Sequence, residues 1–373
     1  MELWNFIRDH PLDWEEKLAA APYFLEIKHN FNFVLFKYNQ FQSDMTNPIS
    51  QEARGCIFYI KDAISFCVCY PFRKFANWNE SYSDTPHLDW RLGIDVQEKI
   101  DGSIMKLWCY KGVWYLSTNT VIDAFDKEAG QLGFIFVDFI QKYDTYKNFC
   151  NNLNPNYTYI FELVAPWYNR IVVHYPETAL YFIGCRNMET LEELNPDEIS
   201  MPLYIKRPRH FKYNNFNEVL AACHNMGDNE EGYVCVGQKL AHGSFARIKV
   251  KGAEYLRLHK LANFTSINNC KIISFWQNDS LDDFVSINPK FKPQIENVLL
   301  YINHLIKQSE IAYNCVKDYE ENAKEYALHV KTYPHAIQAY LFARKKNNQL
   351  NPIEFFKQVK PQLLEDKKCQ SMM

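Results

Sequence analysis

Lys99 opens a short pattern of residues whose types and spacing could perform chemistry on a phosphate. Asp101 and Gly102 follow it closely. A lysine amine can attack a phosphorus atom if it is neutral and held in line with the leaving group. Because a free lysine has a pKa of about 10.4, nearby positive charge or burial must lower that pKa for reaction near neutral pH. The pattern therefore directs attention to the cations and acids that could surround Lys99.

Two further lysines, Lys249 and Lys251, end an apolar run that is typical of a strand. Because side chains alternate between the faces of a strand, both amines are predicted on one face. There they could lower the pKa of Lys99 and neutralise charge that builds up on phosphate oxygens. Considered alone, a Lys-x-Lys pair is better explained as a solvated strand face.

Two acids also lie in strand-like runs. Glu162 has apolar neighbours in Tyr157–Val164, and Glu231 opens a second run. An acid in a sheet interior is costly unless it is paired or binds a metal, and magnesium prefers oxygen ligands. A structural ion pair is the alternative for either acid taken singly. The ordered set of lysines and acids together favours a site.

The chain changes character at about residue 253. Before it, aromatic and β-branched runs broken by turn residues predict strands, with a hairpin at Tyr110-Lys111-Gly112-Val113. After it, apolar residues recur at helical spacing. We therefore predict an α+β fold, with a mixed domain at residues 1–254 and an α-helical domain at residues 255–373. The predicted strands are Phe33–Tyr38, Cys56–Ile60, Ser65–Tyr70, Ser103–Tyr110, Val113–Ser117, Tyr157–Val164, Ile171–Tyr175, Leu180–Cys185, Tyr233–Val236 and Phe245–Val250, and the predicted helices are Ile295–Ile306, Tyr313–Val330, Pro334–Lys345 and Pro352–Leu364.

Composition sets loose bounds. The 373 residues are 47% hydrophobic and 23% charged, as in ordinary globular proteins, and the net charge of -3 means that nucleic-acid binding must use local basic patches. The 11 cysteines include no Cys-x-x-Cys, which favours reduced thiols in a cytoplasm, the host's if the source is viral. No apolar run approaches the roughly 20 residues of a membrane span, so we expect neither a membrane anchor nor export.

The ordered motifs resemble those of the ATP-dependent RNA ligases, and most closely those of the RNA ligase 1 family of T-even phages. That family is part of the wider superfamily of DNA ligases and capping enzymes, which transfer a nucleotide through lysine. The likeness covers roughly residues 50 to 260. Its motifs are Arg54-Gly55-Cys56-Ile57-Phe58, Pro71-Phe72-Arg73-Lys74-Phe75 with Asn77, Asn79 and Glu80, the Lys99-x-Asp101-Gly102 pattern, Phe161-Glu162-Leu163-Val164-Ala165-Pro166 with Asn169-Arg170-Ile171-Val172, Glu231-Gly232-Tyr233-Val234, and Lys249-Val250-Lys251 with Tyr255 and His259.

The resemblance implies a fold and a set of roles. The expected fold is a nucleotidyltransferase domain of antiparallel sheets with flanking helices, followed by an all-α domain that could select RNA. Lys99 is expected to form a lysyl-adenylate. The other implied site residues are Arg54, Lys74, Lys249 and Lys251 on phosphates, Asp101 and Gly102 beside the nucleophile at the nucleotide, Glu162 and Glu231 on the ribose and metal, Val234 on adenine, and Arg186 in a less defined role.

The implied reaction consumes ATP with Mg²⁺ or Mn²⁺. The lysine is adenylylated, AMP moves to an RNA 5′-phosphate, and a 3′-hydroxyl displaces AMP to seal the strand. The expected partner is RNA with such ends, for instance a broken tRNA, together with a separate end-healing kinase or phosphatase. Candidate RNA contacts are two basic clusters, Lys206, Arg207, Arg209, His210 and Lys212, and Arg344, Lys345 and Lys346.

One segment departs from the family pattern. Where the family usually carries a basic residue in the strand after the nucleophile hairpin, this chain reads Leu116-Ser117-Thr118-Asn119-Thr120-Val121. Hydroxyl and amide groups there could still bind adenine or ribose. We do not expect this segment to contact phosphate.

Two alternatives remain open. A DNA ligase or an mRNA guanylyltransferase would share the nucleophile and both glutamates, but these enzymes usually append a β-barrel where this chain appends helices. A catalytically silent RNA-binding relative would be expected to lose part of the site. Retention of the nucleophile motif, both glutamates and both lysines favours an active ligase, and the natural nucleic-acid substrate is left open.

Overall fold

The computed structural model describes residues 1–40, 42–62, 64–166, 173–227, 229–252, 266–281, 284–285, 288–348 and 350–364. The chain forms two compact units, Met1–Lys260 and Leu261–Met373. The predicted domain boundary at residues 254 and 255 lies outside the described residues.

The first unit contains three antiparallel sheets. Sheet one is a meander in the order β1-β2-β3-β4, sheet two has the order β10-β9-β8-β6-β7, and sheet three has the order β11-β5-β12-β13. The strands are β1 (Glu26–Asn30), β2 (Phe33–Lys37), β3 (Arg54–Lys61), β4 (Ile64–Cys69), β5 (Asp95–Glu98), β6 (Ser103–Tyr110), β7 (Val113–Ser117), β8 (Tyr157–Val164), β9 (Ala179–Asn187), β10 (Glu193–Leu194), β11 (His210–Phe211), β12 (Gly232–Lys239) and β13 (Phe245–Lys251).

Helices cover one face of each sheet. Sheet one carries α1 (Glu2–Asp9), α2 (Trp14–Ala19) and α3 (Pro48–Glu52), sheet two carries α4 (Leu132–Gln141) and α5 (Tyr146–Asn151), and sheet three carries α6 (Phe216–His224). The opposite face of sheet one packs on sheet two, where Leu35 and Ile57 contact the cluster around the buried Trp108. This packing fixes sheet two, which holds Glu162 on β8, against sheet one, which begins β3 with Arg54.

Strand predictions succeed where the pattern is long. β6, β7 and β8 have the predicted bounds, and the β6–β7 hairpin turns at Lys111 and Gly112, whose φ angles of 50° and 77° suit a tight two-residue turn. The sequence missed four short or edge strands, which are β1, β5, β10 and β11.

The predicted strand Ile171–Tyr175 is wrong over its described part, Val173–Tyr175. The N–H of Val173 donates to Asp101 Oδ2 at 3.2 Å, and that of His174 donates to Asn229 Oδ1 at 2.5 Å. These backbone donors are therefore satisfied by side chains rather than by a neighbouring strand.

The described part of the second unit contains helices and no strand. The helices are α7 (Asn269–Gln277), α8 (Lys292–Val316), α9 (Ala323–Val330), α10 (His335–Lys346), α11 (Pro352–Gln358) and α12 (Pro361–Leu364). Two predicted helices are each divided. Asn322 caps the start of α9 and separates it from α8, and Pro361, which lacks an N–H, begins α12 after a break.

The predicted architecture of antiparallel sheets with flanking helices, followed by a helical unit, is confirmed. The ten cysteines in the described residues are all free thiols. No described helix combines the length and apolarity needed to cross a membrane.

Candidate active site

Lys99 lies at the crossing from sheet three to sheet two, between the end of β5 and the start of β6. Its backbone N–H donates to the carbonyl of Gly232 at 2.9 Å, which ties the crossing to β12. Gly232 has φ 148°, and a Cβ there would lie 2.1 Å from the carbonyl oxygen of Val250, so this position requires glycine. The side chain of Lys99 points into a cavity of about 420 Å³ and is 21% exposed.

Glu231 joins the nucleophile to the lysine pair. Its Oε2 accepts from Lys99 Nζ at 2.7 Å, and its Oε1 lies 3.0 Å from Lys251 Nζ. Glu231 is buried, and although burial raises the pKa of its carboxyl, the two lysines outweigh this effect and hold the pKa below the usual range. Glu231 is therefore ionised, and it neutralises part of the charge of both lysines.

Glu162 is the second acid at the cavity. It lies on β8, opposite Ile104 of β6, and is 9% exposed. Burial raises the pKa of its carboxyl to about 8; Lys99 opposes this rise and the charge of Glu231 adds to it. A buried carboxyl in this state is suited to exchange its proton for a divalent cation.

β13 presents three cations to the cavity. Arg247, Lys249 and Lys251 alternate along the strand and all line the cavity. The guanidinium of Arg247 stacks on Phe72 at 4.3 Å from the ring centroid and forms a buried ion pair with Glu193. The motif analysis missed Arg247, although the alternation Arg247-Ile248-Lys249-Val250-Lys251 was visible in the sequence.

Arg54 and Lys74, which the resemblance assigns to phosphates, complete the cationic wall. Arg54 begins β3, and its guanidinium lies 4.9 Å from the ring centroid of Phe75. The amine of Lys74 lies 5.0 Å from the ring centroid of Tyr38. Both residues line the cavity. Stacking on aromatic rings helps to hold long basic side chains in place.

The remaining predicted residues take different positions. Gly102 and Val234 line the cavity, and a Cβ on Gly102 would lie 2.6 Å from the carbonyl oxygen of Leu163. Asp101 lies on the same loop but turns its carboxylate to the Val173 N–H. Arg186 is fully buried beside Glu193 and is not among the residues that line the cavity. The motif residues Asn169-Arg170-Ile171-Val172, Tyr255 and His259 lie outside the described residues.

The segment that departs from the family pattern also reaches the cavity. Thr118, Asn119 and Thr120 line it, and Thr118 Oγ1 accepts from the N–H groups of Thr120 and Val121, each at 3.2 Å. Hydroxyl and amide side chains thus lie in the cavity wall, and their binding of adenine or ribose stays a prediction.

Charge decides what the cavity can hold. Among the described residues, six basic side chains and two acidic ones line it, the acids being Glu98 and Glu162. Such an excess of positive charge suits a polyphosphate, and the neighbouring amine is a nucleophile for it. The carboxylate oxygens are the donors that Mg²⁺ or Mn²⁺ prefers, so the residues fit such an ion.

The first predicted basic cluster is paired with acids at the surface. Lys206 lies 3.3 Å from Glu177, and Arg209 lies 3.0 Å from Glu98 and 3.1 Å from Glu230. RNA would therefore have to compete with these acids, which weakens the sequence argument for this cluster. In the second cluster, Arg344 Nη1 donates to the carbonyl of Leu350, and RNA contact stays a prediction for both clusters.

Comparison with known proteins identifies the family of the chain. A model of the RNA ligase family matches residues 52–255, and the chain belongs to that family. A protein of Autographa californica nuclear polyhedrosis virus, whose name proposes a bifunctional polynucleotide kinase/RNA ligase, is 25% identical over 345 residues, which are 89% of this chain and 48% of that protein. An RNA ligase of Rhodothermus phage RM378 is 28% identical over 292 residues, which are 62% of this chain and 65% of that protein.

The chain thus spans about half of the first relative and under two thirds of the second. Among solved structures, an archaeal ATP-dependent RNA ligase superposes with a TM-score of 0.46 at 16% identity, covering 77% of this chain and 70% of that chain.

Proposed function

We propose that the protein is an ATP-dependent RNA ligase that joins a 5′-phosphate to a 3′-hydroxyl through a lysyl-AMP on Lys99 and an RNA-adenylate. The observation that carries the proposal is the position of Lys99 Nζ, which lies 2.7 Å from the ionised Glu231 at the edge of a cavity lined by basic side chains. Membership of the RNA ligase family supports it.

In the first step the amine of Lys99 attacks the α-phosphorus of ATP. A nitrogen–phosphorus bond forms, the bond to pyrophosphate breaks, and the ammonium gives up protons. Glu231 accepts a hydrogen bond from that ammonium and holds its nitrogen at the cavity, and the two protons that the ammonium loses go to solvent. Arg54, Lys249 and Lys251 are the residues we propose for the phosphates, because they line the cavity and stabilise the negative charge that the leaving pyrophosphate carries away.

The two acids have successive roles in this proposal. Glu162 would hold Mg²⁺ or Mn²⁺, which when bound screens the phosphate charge and polarises the phosphorus–oxygen bond. Both oxygens of Glu231 are used by lysines before the reaction. Once Lys99 carries AMP its nitrogen is no longer cationic, so Glu231 becomes available to the ribose or the metal.

In the second step an oxygen of an RNA 5′-phosphate attacks the same phosphorus, and Lys99 leaves as an amine. In the third step a 3′-hydroxyl attacks the RNA 5′-phosphorus, AMP leaves, and the strand is sealed. We propose RNA repair, including broken tRNA, as the role. The kinase named in the relative from Autographa californica nuclear polyhedrosis virus supports a link to 5′-end phosphorylation. We place the protein in the cytoplasm on the sequence argument from cysteine usage.

Labelling with ATP carrying a radioactive α-phosphate tests the proposal. Purified protein is incubated with Mg²⁺ and resolved on a denaturing gel, beside Lys99→Ala and the control Lys239→Ala, which changes a lysine on β12 that pairs with Glu192. We expect label on the wild type and the control and none on Lys99→Ala. Folded, AMP-free wild-type protein that takes no label would refute the ligase mechanism and favour a silent RNA-binding relative.

The acceptor is tested with the labelled protein. It is offered single-stranded RNA with a 5′-phosphate, the same RNA with a 5′-hydroxyl, and DNA of the same sequence. We expect transfer of AMP to the phosphorylated RNA and its closure or joining. Transfer to DNA alone would identify a DNA ligase, and a parallel incubation with GTP and RNA bearing a 5′-diphosphate that transfers GMP would identify a guanylyltransferase.

A further inference from the structure

Lys106 is a fully buried lysine that the mechanism above does not use. It lies on β6, on the same face as Trp108, and its relative exposure is 0%. Its Nζ donates to the carbonyl of Gly55 at the start of β3. An apolar side chain could fill the space between two packed sheets at a lower cost in free energy, because a buried ammonium loses its hydration. The presence of a lysine here therefore calls for an explanation.

The strand register connects Lys106 to the segment that lacks a basic residue. Lys106 is directly opposite Ser117 in the β6–β7 pair, and Ser117 begins the Ser117–Thr120 segment. Residues directly opposite each other on antiparallel strands share a face, with Cβ atoms about 5 Å apart. Lys106 thus brings a cation to the place where a lysine at 117 would point.

The ammonium of Lys106 lies where two cavity walls meet. Gly55 has φ 77°, and a Cβ there would lie 2.7 Å from Asn119 Cα and 3.0 Å from Lys106 Nζ. One wall begins at Arg54, and the other is Thr118–Thr120, all of which line the cavity. Lys106 itself is not among the lining residues, so it acts on a ligand through these walls.

We propose that Lys106 is a positioning residue of the nucleotide site, which supplies from β6 the cation that β7 lacks and holds Arg54-Gly55 and Ser117–Thr120 in the geometry that binds ATP. The inference rests on the proposed function. Lys106 acts by a charge-assisted hydrogen bond to the Gly55 carbonyl. Its amine is fully shielded from solvent. Burial lowers the pKa of Lys106, and the nearby charge of Arg54 lowers it further.

A cross-strand exchange tests the proposal. The variants are Lys106→Ser, the exchange Lys106→Ser with Ser117→Lys, and the control Ser117→Ala, which removes the hydroxyl that accepts from Trp108 Nε1 at 3.2 Å and that also hydrogen-bonds Cys69. Adenylylation is followed against ATP concentration at a temperature where circular dichroism shows every variant folded. We expect Lys106→Ser to raise the KM for ATP by about tenfold or more, and the exchange to recover most of that loss.

A coupling measurement covers the case in which the exchange does not fold. Lys106→Met removes the charge but keeps the length of the side chain. If Lys106 acts through Arg54, the double variant Lys106→Met, Arg54→Ala loses little beyond Arg54→Ala alone, since the route from Lys106 to ATP is then already lost. If Lys106 had only a structural role, the separate effects of Lys106→Met and Arg54→Ala on the KM for ATP would instead multiply.

The outcomes are distinguishable from failure of the proposed function. Wild-type protein on the same gel reports whether Lys99 takes label at all. If it does not, calorimetric ATP binding replaces the labelling rate for the same variants. A folded exchange that remains as impaired as Lys106→Ser, an unchanged KM in Lys106→Met, or effects that multiply with Arg54→Ala would each overturn the inference.

Discussion

Replacement of Glu162 by glutamine should remove a pH dependence of stability that the buried carboxyl creates. The folded protein raises the pKa of Glu162 from 4.5 to about 8, chiefly through burial. The folded chain therefore binds this proton more tightly than the unfolded chain. The resulting stabilisation is complete below pH 4.5 and is lost as the pH rises through about 8.

The size of the effect follows from the two pKa values. With 4.5 unfolded and about 8 folded, this group lowers the free energy of unfolding by about 2 kcal/mol between about pH 6 and about pH 8. For a unit the size of Met1–Lys260, with an unfolding entropy of about 2.1 cal/mol/K per residue, that corresponds to a fall of about 4 °C in Tm.

The assay is thermal unfolding followed by circular dichroism, with a chelator present to keep the protein free of metal. Thermal unfolding of the wild type and of Glu162→Gln is measured at about pH 6 and at about pH 8. The 11 histidines are common to both proteins, so the difference between their pH responses isolates position 162. Glu162→Gln is expected to lose about 4 °C less than the wild type on going to the higher pH. Equal losses in the two proteins would refute the assignment of a raised pKa to Glu162.

Two further predictions concern residues at the same cavity. Gly102→Ala should overpack the start of β6, because a Cβ would lie 2.6 Å from the Leu163 carbonyl oxygen, and should lower the free energy of unfolding by about 1–3 kcal/mol in chemical denaturation. The matched control is Gly227→Ala, where no atom lies within 4 Å of the added Cβ, and it should be near neutral. Equal effects of the two substitutions would contradict the steric argument. Lys251→Ala should remain folded but slow adenylylation about a hundredfold or more in single-turnover labelling, because it removes a cation held 3.0 Å from Glu231. A normal rate of adenylylation would show that Lys251 has no role in the site.

Several elements could be predicted from sequence because their signals are local. The β6–β7 hairpin has a lysine and a glycine at turn positions with positive φ, and β8 is a continuous apolar run, so both were found with the correct bounds. β5 and β11 carry no such signal. They exist because β5 pairs with β12 and β11 pairs with β5, across more than a hundred residues of chain.

The motif order in the sequence determined the chemistry, by naming a lysine nucleophile, two acids and a lysine pair whose alternation fixes one strand face. It could not determine which charges meet, because contacts between distant strands depend on register and sheet packing. Only the tertiary structure placed Glu231 between Lys99 and Lys251, and it added Arg247 to the cationic wall. It also placed Lys106 of β6 directly opposite Ser117 of β7, the strand that has no basic residue at this position. The type of each side chain is read directly from the sequence, whereas its ion-pair partners depend on strand register and sheet packing in the folded protein.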